Sequence, residues 1–166
     1  MEHQEELLNI AEISIAIAGF SGLMAAFLQR GGLEKLDRVR FVNLFVTAFS
    51  TLVLAYVPIV VAELSVAIWS YSSLAMIGIW LFSVGIGIVY VVPAIKDHGE
   101  AAGMAPGALI WIPSFANVLV QFLNVTGWFW ESGFLAYLFG LFVYLYAACL
   151  MFVFVVIYRP DKEGLS

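Results

Sequence analysis

The sequence predicts an all-α membrane protein, a five-span transmembrane helical bundle with its N-terminus outside and its C-terminus in the cytoplasm. Three observations predict it. The chain is 63% hydrophobic and 11% charged over 166 residues, whereas a soluble domain is about 45–50% apolar and about 25% charged. Its apolar residues fall into five long segments, and its basic residues then group on one side of the membrane. With a mean hydropathy of +1.01, the surface has too few polar groups to face water, so its solvent is lipid. A spanning helix takes roughly 20 apolar residues, and five of them with short loops fill residues 1–166 as a single transmembrane domain.

Span one is expected at about Leu7–Leu28. The residues before it are acidic (Glu2, Glu5, Glu6) where a signal peptide begins basic, so this segment is read as a permanent span. A polar loop, Gln29–Arg40, leads to span two at about Phe41–Glu63. After a weak break at Trp69–Ser73, span three covers about Ser72–Ile95. No charge interrupts residues 64–95, so length decides this boundary. Residues 41–95 as one helix would be about 80 Å long at 1.5 Å per residue, and a hydrocarbon core is about 30 Å thick, so the stretch crosses twice. The loop Lys96–Pro106 precedes span four at about Gly107–Trp128, and span five covers about Gly133–Tyr158 before a short polar tail.

The basic residues Arg30, Lys35, Arg38, Arg40, Lys96, Arg159 and Lys162 then all lie in the first loop, the third loop or the tail, which share one face. The positive-inside rule makes that face cytoplasmic; four or six spans would scatter the same charges over both faces. Trp69, Tyr71, Trp128 and Trp130 mark the outer boundary and Tyr158 the inner one, where amphipathic rings prefer to sit. Trp80 and Trp111 lie deeper and are read as packing residues.

In span one, Ser14, Ala18, Gly22 and Ala26 recur every four residues and place small side chains along one face. Such faces let helices approach closely in lipid, either within one subunit or between subunits. The segments Ala11-Glu12 and Ile17-Ala18-Gly19-Phe20-Ser21-Gly22, with Asp37-Arg38 ahead of span two, resemble a family of small bacterial integral membrane proteins. That resemblance covers about the first quarter of the chain and implies a bacterial inner-membrane location without implying an activity.

Glu12 stands out because an ionisable group at depth is costly and faces protein, water or the interface. Snorkelling, a pore-mouth role and a structural hydrogen bond are the competing readings. Span four carries a registered polar stripe, Ser114, Asn117, Gln121 and Asn124. An unpaired amide in hydrocarbon costs several kcal/mol, so the stripe faces either other helices or a water-lined path. Pro113 loosens the helix just before it. Depth matching puts Glu12 level with Gln121 and Asn124, which suggests a hydrogen bond between them. Asn43, Thr47 and Ser50 form a second stripe in span two, with Thr51 beside it, expected mainly to bond back to their own helix. Tyr137, Gly140, Tyr144 and Ala147 form a packing face in span five. Asn124-Val125-Thr126 matches a glycosylation sequon, but it lies within a span.

Catalytic chemistry is not expected. His3 and His98 fall outside the spans on opposite faces, and no His, Cys and carboxylate spacing suits a metal. The lone Cys149 is read as a buried structural thiol, and Gly31, Gly32 and Gly103 as ordinary loop glycines. No cofactor follows, and no basic patch suits nucleic acid. Glu2, Glu5, Glu6, Glu12, Glu63 and Glu131 all lie toward the outer face, which in a ring of subunits would attract cations. The leading expectation is therefore a homo-oligomeric, cation-selective channel or pore whose partners are membrane lipid, small cations and further copies of the chain. Ser114, Asn117, Gln121 and Asn124 would line its path, with Glu12 at the outer mouth. The alternative is a non-catalytic accessory or scaffold subunit that docks a partner through the small face of span one.

Overall fold

The computed structural model describes residues 3–29, 35–63, 67–91, 104–128 and 133–157. Its helices are α1 (Gln4–Gln29), α2 (Lys35–Ala62), α3 (Ile68–Ile86), α4 (Met104–Val125) and α5 (Gly133–Ile157). A π-helical turn, Gly87–Val91, continues α3. All five helices are long and apolar enough to cross a membrane, which makes this a multi-pass membrane protein. Each expected span coincides with one of them, and the positions 92–95 expected to finish span three lie outside the described residues. Lys35–Arg40, expected as loop, instead form the first turns of α2.

The helices pack around a central pair, α2 and α5. α1 lies against α2 on one side, touching α5 less. On the other side α3 and α4 pack against each other, with α3 also meeting α2 and α4 also meeting α5. Leu7, Ile10 and Ala11 of α1 share a buried cluster with Leu54 and Ala55 of α2, Met76 of α3, and Tyr137, Leu141, Tyr144 and Leu145 of α5. A second cluster joins Phe41, Leu44 and Ala48 to Ala148, with Ile17 and Ala18 of α1 packed against it. Successive helices are thus antiparallel, and the start of α1 lies at the same end of the bundle as the end of α2. Large side chains such as Phe82, Ile112, Leu119 and Leu135 point outward, as expected of a surface bathed in lipid.

That same end is closed by rings. His3 stacks on Phe134 with centroids 3.7 Å apart and planes nearly parallel. Trp69 tilts against both, and also against Tyr137. The first residue of the described chain is thereby level with the first turns of α3 and α5.

Pro58 lies fully buried inside α2. Proline has no N–H to give, so the carbonyl of Leu54, four residues earlier, loses its helical donor. The Tyr137 hydroxyl of α5 supplies one at 2.6 Å, joining the two central helices at the point where the ladder is broken. Tyr137 and Pro58 are both inaccessible.

Two expectations about individual positions change. Cys149 is exposed on α5 and does not sit in the core. α5 is apolar on every side, so hydrophobicity alone cannot tell its inner face from its outer one. Trp111 is also exposed and tilts against Phe115, while Trp80 packs edge-on against the same Phe115. Replacing Tyr137 with Phe should lower stability by about 1–2 kcal/mol, because the Leu54 carbonyl is then left without a donor in an apolar setting. Denaturant unfolding of the purified protein in detergent micelles measures this.

Candidate functional site

α4 presents its amides inward. Asn117, Gln121 and Asn124 are exposed by 1%, 0% and 3%, and their hydrogen bonds run to α3 and α5. Gln121 Nε2 donates to the Ala136 carbonyl at 2.7 Å and to Asn117 Oδ1 at 3.0 Å. Its Oε1 accepts from Ser73 Oγ at 2.7 Å. Ser73 Oγ in turn accepts from Asn124 Nδ2 at 2.9 Å, and the same nitrogen donates to the Gly133 carbonyl at 3.0 Å. Asn117 Nδ2 points at Met76 Sδ, 3.7 Å away, a weak acceptor. The result is a polar knot that ties α3, α4 and α5 together below the aromatic end.

Asn117, Gln121 and Asn124, expected to line a path, are thus enclosed within this chain. Side chains buried inside one subunit do not reach a pore formed between subunits, and their donors are already spent on protein. The geometry is that of interhelical bonding, with bonds worth about 0.6–2 kcal/mol each. Ser114 is not part of the knot: its hydroxyl bonds back to the Ile110 carbonyl at 2.7 Å. The sequon residue Asn124 is sealed in the same knot.

Ser73 is the member that the sequence hid, because Trp69–Ser73 looks like a break between spans and not like one face of α3. Gly140, expected on the packing face of span five, meets the knot directly. A methyl group at Gly140 would lie 2.7 Å from Gln121 Nε2 and 2.8 Å from Asn117 Oδ1, and against Met76 Sδ. The bare backbone there lets α5 close over the amides. Gly133 is similarly tight, with Trp69 Cβ 3.0 Å and Asn124 Oδ1 3.2 Å from such a group. The packing face expected in span five is present: Tyr137, Gly140, Tyr144 and Ala147 are all buried. In α2, Thr47 and Thr51 bond back to Asn43 and Thr47 carbonyls, while Ser50 is buried and Asn43 half-buried. Among the described residues, Ser72 Oγ and the Tyr144 hydroxyl are buried without a hydrogen-bond partner.

Glu12 lies elsewhere. It is exposed, on the side of α1 turned away from the bundle, and makes no side-chain hydrogen bond or ion pair with the described residues. The expected bond to Gln121 or Asn124 does not form. Depth alone placed them together, but α2 and α5 stand between α1 and α4.

The small face of α1 also divides. Ser14 is fully buried and Ala18 half-buried, yet Gly22 and Ala26 are exposed. Four residues turn a helix by about 400°, so an every-fourth stripe drifts about 40° per step and leaves its original face. A different line stays together: Glu12, Ala16, Gly19, Leu23 and Ala26 keep within about 40° of one direction, and all are exposed. Added methyl groups at Gly19 or Gly22 would meet nothing within 4 Å. Packing among the described residues therefore does not require either glycine.

No cluster of His, Cys, Asp and Glu suited to a metal occurs among the described residues. His98, Gly31, Gly32, Gly103 and Glu131 lie outside them.

The chain matches no family model, no curated protein and no solved structure.

Gln121→Leu should destabilise the bundle by about 1–3 kcal/mol, since Ser73, Asn117 and the Ala136 carbonyl each lose a partner. Ser114→Ala should change stability by less than about 0.5 kcal/mol, because its bond only duplicates its own helix. Gly140→Ala should behave like Gln121→Leu, although it removes no polar atom. Unfolding midpoints of these variants in one micelle system provide the comparison.

Proposed function

We propose that the chain is a non-catalytic accessory or scaffold subunit of a larger membrane complex, which docks a partner helix through the outward face of α1. One observation carries this reading. Glu12, Ala16, Gly19 and Ala26 are exposed along one line, and a methyl group at Gly19 would touch none of the described residues. Glycine and alanine let helices approach closely in lipid, and here that surface is left open on a helix whose other side packs against α2. The polar stripe of α4 supports the same reading from the opposite direction, being consumed in holding the subunit together.

The subunit sits in a bacterial inner membrane, with its N-terminus outside and its C-terminus in the cytoplasm. The grouping of Arg30, Lys35, Arg38, Arg40, Lys96, Arg159 and Lys162 at one end supports this orientation. Fluorescent-protein fusions test it: a C-terminal fusion should be fluorescent and an N-terminal one dark, and the reverse pattern inverts the topology.

The exposure of Glu12 favours a second reading, a homo-oligomeric, cation-selective pore with the α1 faces turned to a common axis. In that arrangement the carboxylates ring the mouth, and the path runs along α1 and not along Asn117 and Gln121. The native mass of the complex in mild detergent separates the two. A complex containing a different protein supports the accessory subunit. A ring of four or more identical chains overturns it in favour of the pore, and a monomer overturns both.

A further inference from the structure

Glu12 lies inside the candidate membrane span Gln4–Met24, and two independent registrations fix its level in the bundle. His3 is stacked on Phe134 at the start of α5, and Glu12 follows nine residues later, about 13 Å further along the helix at 1.5 Å per residue. On α2, the neighbours Ile10 and Ala11 share their cluster with Leu54 and Ala55, about 11 Å inside the last residue of that helix, Ala62. Its side chain points away from the bundle. A carboxylate in hydrocarbon is costly unless it is paired, and none of the described residues pairs with it.

The chain cannot supply the missing group to a second copy of itself. Its Lys and Arg residues occur only at positions 30–40, at 96, and at 159 and 162. None lies in any of the five spans, so no neighbouring copy brings a basic side chain to the level of Glu12. The amides that could donate at similar depth, on Gln121 and Asn124, are buried and already bonded.

We propose that Glu12 is an intramembrane docking contact for a transmembrane helix of a different protein, which carries a lysine or arginine at the same depth. The surface around it fits such a helix. Ala16 and Gly19 continue the line away from the closed end, with open space over Gly19. A helix lying there comes close enough for its basic side chain to meet the carboxylate. Asn9, one turn nearer the end, is exposed and adds an amide for the partner's flank. This inference rests on the accessory-subunit reading and adds the chemistry of the partner.

The test uses the full-length protein in phosphatidylcholine vesicles with a synthetic probe, a leucine-alanine transmembrane peptide bearing one lysine nine residues from its end. A matched peptide has leucine at that position. Energy transfer from a dye at the protein's C-terminus to the peptide reports association. The lysine peptide should bind wild-type protein about tenfold more tightly than the leucine peptide, equivalent to about 1.4 kcal/mol. Glu12→Gln should abolish that preference, and Glu12→Asp should retain part of it. Equal binding of both peptides to wild-type protein, or a preference that persists in Glu12→Gln, overturns the proposal.

The native complex separates this contact from the reading beneath it. Loss of the heterologous component from the Glu12→Gln complex, with an unchanged unfolding midpoint, supports the contact. A heteromeric complex that survives the substitution overturns the contact and leaves the accessory role standing. Absence of any heteromeric complex overturns both.

Discussion

Inside hydrocarbon a polar group has no water to fall back on, and every hydrogen bond that it needs must come from protein. The architecture of this bundle follows from that constraint. Ser73, Asn117, Gln121 and Asn124 are brought together because none of them is tolerable alone, and their bonds hold α3, α4 and α5 in one arrangement. The same pressure acts on the backbone. Where Pro58 removes a donor from α2, a tyrosine from α5 fills the gap.

Polar attraction of this kind works only if the helices come close enough, and there the small residues decide. Gly140 faces the amides of α4, and any larger residue would occupy the volume that Gln121 and Asn117 need. Gly19 and Gly22 differ, since none of the described residues would meet a methyl group there. One class of residue thus does two jobs in the same molecule: it closes the internal knot and leaves a face of α1 bare. A lipid-exposed glycine contributes little packing, and in a helix it costs about 1 kcal/mol relative to alanine. The open glycines accordingly direct attention to what lies outside the subunit.

The number and extent of the spans were legible because they depend on hydrophobic length, a local property. That the stripe of α4 avoids lipid was legible too, from spacing and the cost of an unpaired amide. What it faces was not. Ser73 looked like part of a break, and its role depends on α3 lying beside α4, which no local pattern encodes. Glu12 illustrates the same limit: matched depth suggested Gln121 and Asn124, but the packing order of helices put α2 and α5 between them. Cys149 was misplaced because a helix that is apolar all round carries no signal for which side is buried. The Pro58–Tyr137 bond left one clue in the sequence, a proline within a span, which announces an orphaned carbonyl without naming its donor.

The position of α5 in the chain gives these bonds an order in time. Synthesis proceeds from the N-terminus, so α2, α3 and α4 all leave the ribosome before α5 does. Until α5 arrives, the Leu54 carbonyl has no tyrosine, and Gln121 and Asn124 lack the Ala136 and Gly133 carbonyls. The partly built protein is therefore an assembly of helices with open polar valences, and α5 is the keystone that closes them together. A nascent chain stalled before that helix would display unsatisfied amides to the bilayer, a chemical signature by which an unfinished copy differs from a finished one.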